Sequence, residues 1–236
     1  DPIDAGYDIG TVLADALWDS LTVIDADGRA QPSVATAWSS GDQRVWVFEL
    51  DPGARYHDGT PVTAADFVWA ISRFSQHPDS PLHYLGEPIV GWGTDAPGLR
   101  AIDDHTLEIT AEGPFPLLPE VLANVVFSPR PVTSAADPTP PQNGPYQVVS
   151  QEGLAIVAER NKSYQGEPFG PETFESRVYP DSDAYRAAIA SGEIDFSPLT
   201  PTQVADLGLA PERVATGGAP VITFVDCPGF LPGTDQ

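Results

Sequence analysis

Histidine beside aspartate is a pairing that metal binding and acid–base chemistry both use, and the chain carries it twice. His57 precedes Asp58, and His105 follows Asp103 and Asp104. A metal centre needs several convergent ligands with a supporting shell behind them. The four histidines stand at 57, 77, 83 and 105, with no i, i+4 pair, and both His–Asp sites fall in turn-rich stretches where Asp also stabilises the backbone. Turn chemistry is the expectation at both.

Gly91-Trp92-Gly93-Thr94-Asp95-Ala96 has the spacing of a pyrophosphate cradle. That chemistry requires a helix to open directly behind the glycines. Pro97 and Gly98 follow instead, so the segment reads as a surface loop. With 34 acidic side chains some carboxylates must be neighbours, and proximity alone does not argue for glycoside hydrolysis. Asn161-Lys162-Ser163 has the form of a glycosylation triplet, a short and unspecific pattern. The single Cys227 excludes an internal disulfide framework and a cysteine-rich zinc site. No nucleophile–base pair stands out, so no catalytic residue, no metal site and no cofactor are expected.

Aromatic residues divide by setting. Trp38, Trp46 and Trp69 lie in or beside periodic segments and read as core. Tyr7, Tyr84 and Trp92 lie in Gly/Pro-rich loops, where ligand contact and ordinary packing both stay open.

The elements that must position these residues form a mixed α/β pattern. Leu13, Leu17 and Leu21 recur on one helical face, predicting a helix over 11–21. Val45–Leu50 reads as a strand closed by Asp51-Pro52-Gly53. Thr63 and Asp66 have capping-box spacing, and Phe67, Ile71 and Phe74 continue a helix to about Ser75. Hairpins are expected around Asp103–His105 and Gln151–Gly153. A further helix is capped by Asp181 or Ser182 and stopped by Gly192. Pro131, Pro138, Pro140 and Pro141 mark a stiff connector and the best internal boundary.

Composition sets the outer limits. Of 236 residues, 34 are acidic and 11 basic, a net charge of −23, with Lys162 the single lysine. Nucleic-acid binding, which needs clustered cations, is excluded. No run approaches the roughly 18 apolar residues of a membrane helix. Strong acidity with a single lysine suits a secreted or surface protein kept soluble by charge, and in a sequence without Met any leader there was has been removed.

Taken in order, several segments together resemble the extracellular solute-binding proteins of peptide and nickel ABC importers, family 5. Leu17-Trp18-Asp19-Ser20-Leu21 is similar to that family's opening segment, and Val34–Trp38 with Trp46–Leu50 to its next conserved stretch. Tyr56-His57-Asp58-Gly59-Thr60-Pro61-Val62-Thr63-Ala64-Ala65-Asp66 closely resembles its "fhDGtpvTAeD" segment. Ala101–Glu108, Asn143-Gly144-Pro145-Tyr146, Glu159-Arg160-Asn161 with Tyr164, and Ser191–Asp195 follow in the family's order. The turn and cap residues of the "DG" segment give it a structural role, and no ligand contact is assigned to it.

The resemblance implies a periplasmic-binding-protein type II-like fold, of which this chain is the first of two lobes. Residues 1–19 and 143–225 would form the main lobe, 20–142 an inserted β-rich subdomain, and 226–236 the start of a crossover to a second lobe. It implies a receptor that is no enzyme and captures di- or oligopeptides for an ABC permease. That receptor would lie outside the cytoplasmic membrane, lipid-anchored in its full-length form. A nickel or metal-chelate receptor of the same family, and a secreted carboxylate-dependent hydrolase, are the alternatives. By loose correspondence the ligand-facing positions are Gly6, Tyr7 and Asp8 in the opening loop, Leu82 and Tyr84 in the Ser80–Leu85 loop, and Ser197, Leu199 and Thr223 near the hinge.

Overall fold

The run Val45–Leu50 alternates around two faces, and one of them is buried. The computed structural model of the chain describes residues 2–4, 9–134, 140–153, 155–166, 170–199, 201–208, 215–216 and 221–224. It packs as two compact units, residues 1–147 with 160–167, and residues 148–159 with 168–236.

The first unit opens with α1 (Ile9–Leu17), then a short hairpin of β1 (Thr22–Ile24) and β2 (Ala30–Pro32). β3 (Ala35–Ser39), β4 (Val45–Leu50), β5 (Leu99–Asp103) and β6 (Thr106–Thr110) form an antiparallel sheet in the order β3-β4-β6-β5. Register places Trp46 opposite Ile109 and Phe48 opposite Leu107, so Trp46, Phe48, Leu50, Leu107 and Ile109 share the buried face. Between β4 and β5 runs α2 (Ala64–Ser75), which lays Phe67, Ile71 and Phe74 into the core and packs on β5 and β6. The sheet's other face carries Glu49 and the exposed Arg100–Glu108 ion pair, at 2.9 Å. α3 (Leu118–Val121) and a 3-10 turn at Val125–Phe127 close this core from the side with fully buried apolar residues.

Capping fixes where α2 starts. The Thr63 backbone N–H and hydroxyl both donate to Asp66 Oδ2 at 2.9 Å, and Asp66 Oδ1 accepts from the Val132 N–H at 2.9 Å. Asp66 therefore ties the helix start to a segment 66 residues away, which explains a carboxylate only 6% exposed.

The helix over 11–21 turns out to run Ile9–Leu17, and Leu21 is buried at a bend beyond it, just before β1. What ends it is tertiary. The Gly144 N–H donates to the Leu17 carbonyl at 3.0 Å, while Asn143 accepts from the Asp19 N–H (3.2 Å) and donates to the Asp19 carbonyl (3.0 Å). A distant strip of chain takes the carbonyl that the next helical turn would have used.

In the second unit, β7 (Tyr146–Glu152), β8 (Ala155–Arg160) and β9 (Thr173–Ser176) form a sheet in the order β7-β8-β9, its first two strands beginning or ending in the first unit. α4 (Ser182–Ser191) is capped by Asp181, whose side chain accepts from the Ala184 N–H at 2.8 Å, and ends at Gly192 with φ 77°. β10 (Phe196–Pro198), α5 (Pro201–Leu207), β11 (Ala215–Thr216) and β12 (Val221–Phe224) follow, with β12 central in the order β10-β12-β11.

The sites that suggested chemistry resolve into turns. Asp58 Oδ1 accepts from the Thr60 N–H and hydroxyl, and Asp103 accepts from the His105 N–H. His57 is fixed by Gln142, its N–H donating to the Gln142 carbonyl (2.8 Å) and its Nδ1 accepting from the Gln142 N–H (3.0 Å). Gly91 and Gly93 take positive φ in a loop with no helix behind it. Trp92 is structural: its ring packs edge-on to Phe74 at 5.3 Å and its Nε1–H donates to the His83 carbonyl. Asn161 is 6% exposed and donates its side-chain amide to the Gly144 carbonyl, so the triplet it opens is not an available acceptor.

Candidate functional site

Three motif segments that are far apart in sequence converge in the first unit. They are Leu17–Ser20 where the chain leaves α1, Asn143–Tyr146, and Asn161–Tyr164. Asn161 is the joint: its N–H donates to the Pro145 carbonyl (2.8 Å), its Nδ2 to the Gly144 carbonyl (3.0 Å), and its Oδ1 accepts from the Ser163 N–H (2.9 Å). The turn so formed sets the Tyr164 hydroxyl beside the Asp19 carboxylate.

Asp15 lies in the last turn of α1, and Asp19 follows two residues after the helix ends. Burial raises the carboxyls of both from 3.8 to about 6, and at Asp19 the Tyr164 hydroxyl pulls in the opposite direction. Asp15 is itself exposed, so water screens its charge, while Asp19 is half-buried. The Tyr164 phenol is pushed up in turn, by burial first and then by the Asp19 charge. The locus is thus acidic and partly desolvated, and it favours a proton or a cationic group. Sequence reasoning quoted Asp19 and Tyr164 as parts of motifs without a role. Their meeting depends on the Asn161 turn, which no local pattern announces.

The predicted ligand positions fall in different settings. Gly6, Tyr7 and Asp8 lie outside the described residues. Tyr84, in the 3-10 turn His83–Gly86, is 50% exposed, whereas Leu82 just before it is 1% exposed and belongs to the core. Ser197 and Leu199 are each 3% exposed in the second unit, with the Ser197 hydroxyl against that of Tyr185. Strand register brings Ser197 directly opposite Thr223. Leu82, Ser197 and Leu199 therefore sit beneath the surface, and among the predicted positions whose side chains the structure describes Tyr84 is the one open to solvent. Among the described residues no group of three or more His, Cys, Asp and Glu side chains gathers as a metal would require.

A model of the bacterial extracellular solute-binding proteins, family 5, matches residues 29–225. The chain belongs to this family. Among curated family 5 relatives, the periplasmic oligopeptide-binding protein OppA of Salmonella typhimurium is 36% identical over 172 residues, 63% of this chain and 31% of the relative. The probable peptide ABC transporter periplasmic-binding protein y4tO of Sinorhizobium fredii is 28% identical over 255 aligned residues, 96% of this chain and 46% of the relative. Among solved structures, the Escherichia coli murein tripeptide binding protein MppA superposes with a TM-score of 0.79 at 26% identity, covering 91% of this chain and 46% of that one. The fold is accordingly the mixed α/β, type II-like architecture of periplasmic peptide-binding proteins. The chain spans less than half the length of these family 5 relatives.

Proposed function

We propose that this chain is part of a receptor that captures peptides outside the cytoplasmic membrane and hands them to an ABC permease. The observation that carries the reading is the family match over residues 29–225, joined to relatives described as binding oligopeptides and murein peptide. The type II-like fold is consistent with it. The nickel alternative is not favoured, since these relatives are named for binding peptides. The location is periplasmic or extracellular, and a lipid anchor on the complete receptor is the finer part of this proposal.

In this reading residues 1–19 and 143–225 form the main lobe and 20–142 an inserted subdomain, with a second lobe completing the site. Gly6, Tyr7, Asp8 and Tyr84 contact the ligand. Thr223 is a further contact, and Leu82 in the first unit and Ser197 and Leu199 in the second each support the lining from below the surface. Backbone pairing with an extended peptide leaves side chains to wetter pockets, a mode tolerant of sequence. The receptor binds and does not turn over its ligand.

The test is calorimetry on the complete receptor with a set of di- to pentapeptides, run beside nickel. Saturable peptide binding weakened by Tyr84→Ala is expected. Failure of every peptide to bind, with nickel binding instead, overturns the reading. Peptide cleavage during the titration would point to the hydrolase.

A further inference from the structure

Asn143 is followed by Gly144, and the chain has two other asparagines, Asn124 before Val125 and Asn161 before Lys162. Asparagine is a thermolabile residue, and its main route of loss is ring closure on its own backbone. The nitrogen of the next residue attacks the side-chain Cγ. A C–N bond forms, the Cγ–Nδ2 bond breaks, and ammonia leaves with the proton that the attacking nitrogen gives up. Water then opens the succinimide at either carbonyl, giving aspartate or isoaspartate. Glycine in the next position leaves the nitrogen unshielded, so Asn143 is the reactive one by sequence.

The fold occupies every atom that this reaction needs. The attacking group, the Gly144 N–H, donates to the Leu17 carbonyl at 3.0 Å. Asn143 Oδ1 accepts from the Asp19 N–H and Nδ2 donates to the Asp19 carbonyl, which fixes the side chain on the backbone of another segment. The Gly144 carbonyl is held by Asn161 Nδ2 at 3.0 Å, and Asn143 itself is 5% exposed. Nitrogen and Cγ are thus restrained by different partners, and neither can rotate toward the other while α1 stays docked.

We propose that Asn143–Gly144 is a deamidation site gated by this clamp, silent in the folded protein and open when the end of α1 undocks. The product does not re-enter the clamp. A carboxylate at 143 has no donor for the Asp19 carbonyl and sets a negative charge beside the Asp19 side chain, and isoaspartate shifts the register of Gly144. Each opening therefore carries a chance of irreversible loss, a kinetic limit on lifetime distinct from equilibrium stability.

Peptide mapping by mass spectrometry, in mildly alkaline buffer with and without urea, reads the conversion directly. Conversion at Asn143 is expected to be at least about tenfold slower in the folded protein, the factor that an opening cost of ~1.4 kcal/mol sets. Asn161→Ala removes the hold on the Gly144 carbonyl, loosening one side of the clamp, and should raise the native rate toward the urea rate without changing the latter. Equal rates with and without urea in the parent protein overturn the proposal. The second arm is Asn143→Asp, which should lower the unfolding midpoint; a midpoint equal to the parent's would overturn the claim that the product cannot re-enter.

Discussion

The amide of Gly144 donates to the carbonyl of Leu17 at 3.0 Å, and a Cβ on Gly144 would lie 2.5 Å from that carbonyl's carbon and 2.6 Å from the Trp18 nitrogen. Both obstacles are backbone, so no rotamer change relieves them. The glycine in the Asn143–Tyr146 motif is there for close approach. It lets one chain segment end a helix that belongs to another.

Gly144→Ala should therefore be severely destabilising. Separating the two backbones costs at least about 2–4 kcal/mol and breaks the Asn143 and Asn161 hydrogen bonds with it. Urea unfolding followed by far-UV circular dichroism checks this. A midpoint within error of the parent would mean that the contact is easily relaxed.

Asp19 gives a pH dependence of defined sign. Its folded-state value, about 6, lies above the ordinary 3.8, so the folded protein holds this proton more tightly than the unfolded chain does. Stability from this group is present below about pH 4 and is lost as pH rises through about 6. Asp19→Asn should reduce the slope in that window, leaving the part that Asp15 contributes, and raise neutral-pH stability by about 1–2 kcal/mol, a figure reduced for the half-exposed site. Thermal melts of both proteins across that pH range make the comparison, and a parent slope that the variant retains would assign the effect elsewhere.

How much of this was legible in the sequence depends on the range of the forces involved. α2 and α4 were readable because Thr63, Asp66, Asp181 and Gly192 act within one helical turn. β5 and β6, and β7 and β8, were readable because their turns are local. The end of α1 was not, since Leu21 continues the apolar period and the stop is supplied by residues 143 and 144. The same holds for the candidate site. Correspondence with the family offers Leu82, Ser197 and Leu199 as ligand-facing positions, whereas their burial depends on neighbours in space, as with Tyr185 over Ser197.

Tyr56 and Asp66 offer a contrast within one core. The Tyr56 hydroxyl is fully buried and faces the Asp66 carboxylate without a hydrogen bond of good geometry among the described residues. Tyr56→Phe should be neutral or stabilising by up to about 1–2 kcal/mol, because an unsatisfied polar atom is removed. Asp66→Ala strips the Thr63 and Val132 N–H groups of their acceptor and should cost about 3 kcal/mol or more. Denaturant midpoints of the two variants on opposite sides of the parent are the expected result.

The last prediction concerns kinetics of capture and rests on the proposed peptide-receptor function. A net charge of −23 draws cations toward the protein before any contact forms, and Asp15 and Asp19 place part of that charge at the end of α1. Long-range attraction acts on the encounter and leaves the docked state little changed, so it enters the association rate. Peptides carrying an extra lysine should associate faster than otherwise identical peptides carrying glutamate, at low salt by about tenfold or more. Raising ionic strength to near 1 M shortens the screening length to about 3 Å, which should collapse the difference while dissociation rates stay within about twofold. Stopped-flow fluorescence on the complete receptor, across a salt series, reads both rates. A lysine advantage that survives high salt, or that resides in dissociation, would mean that a specific contact selects the cation and that the overall charge does not.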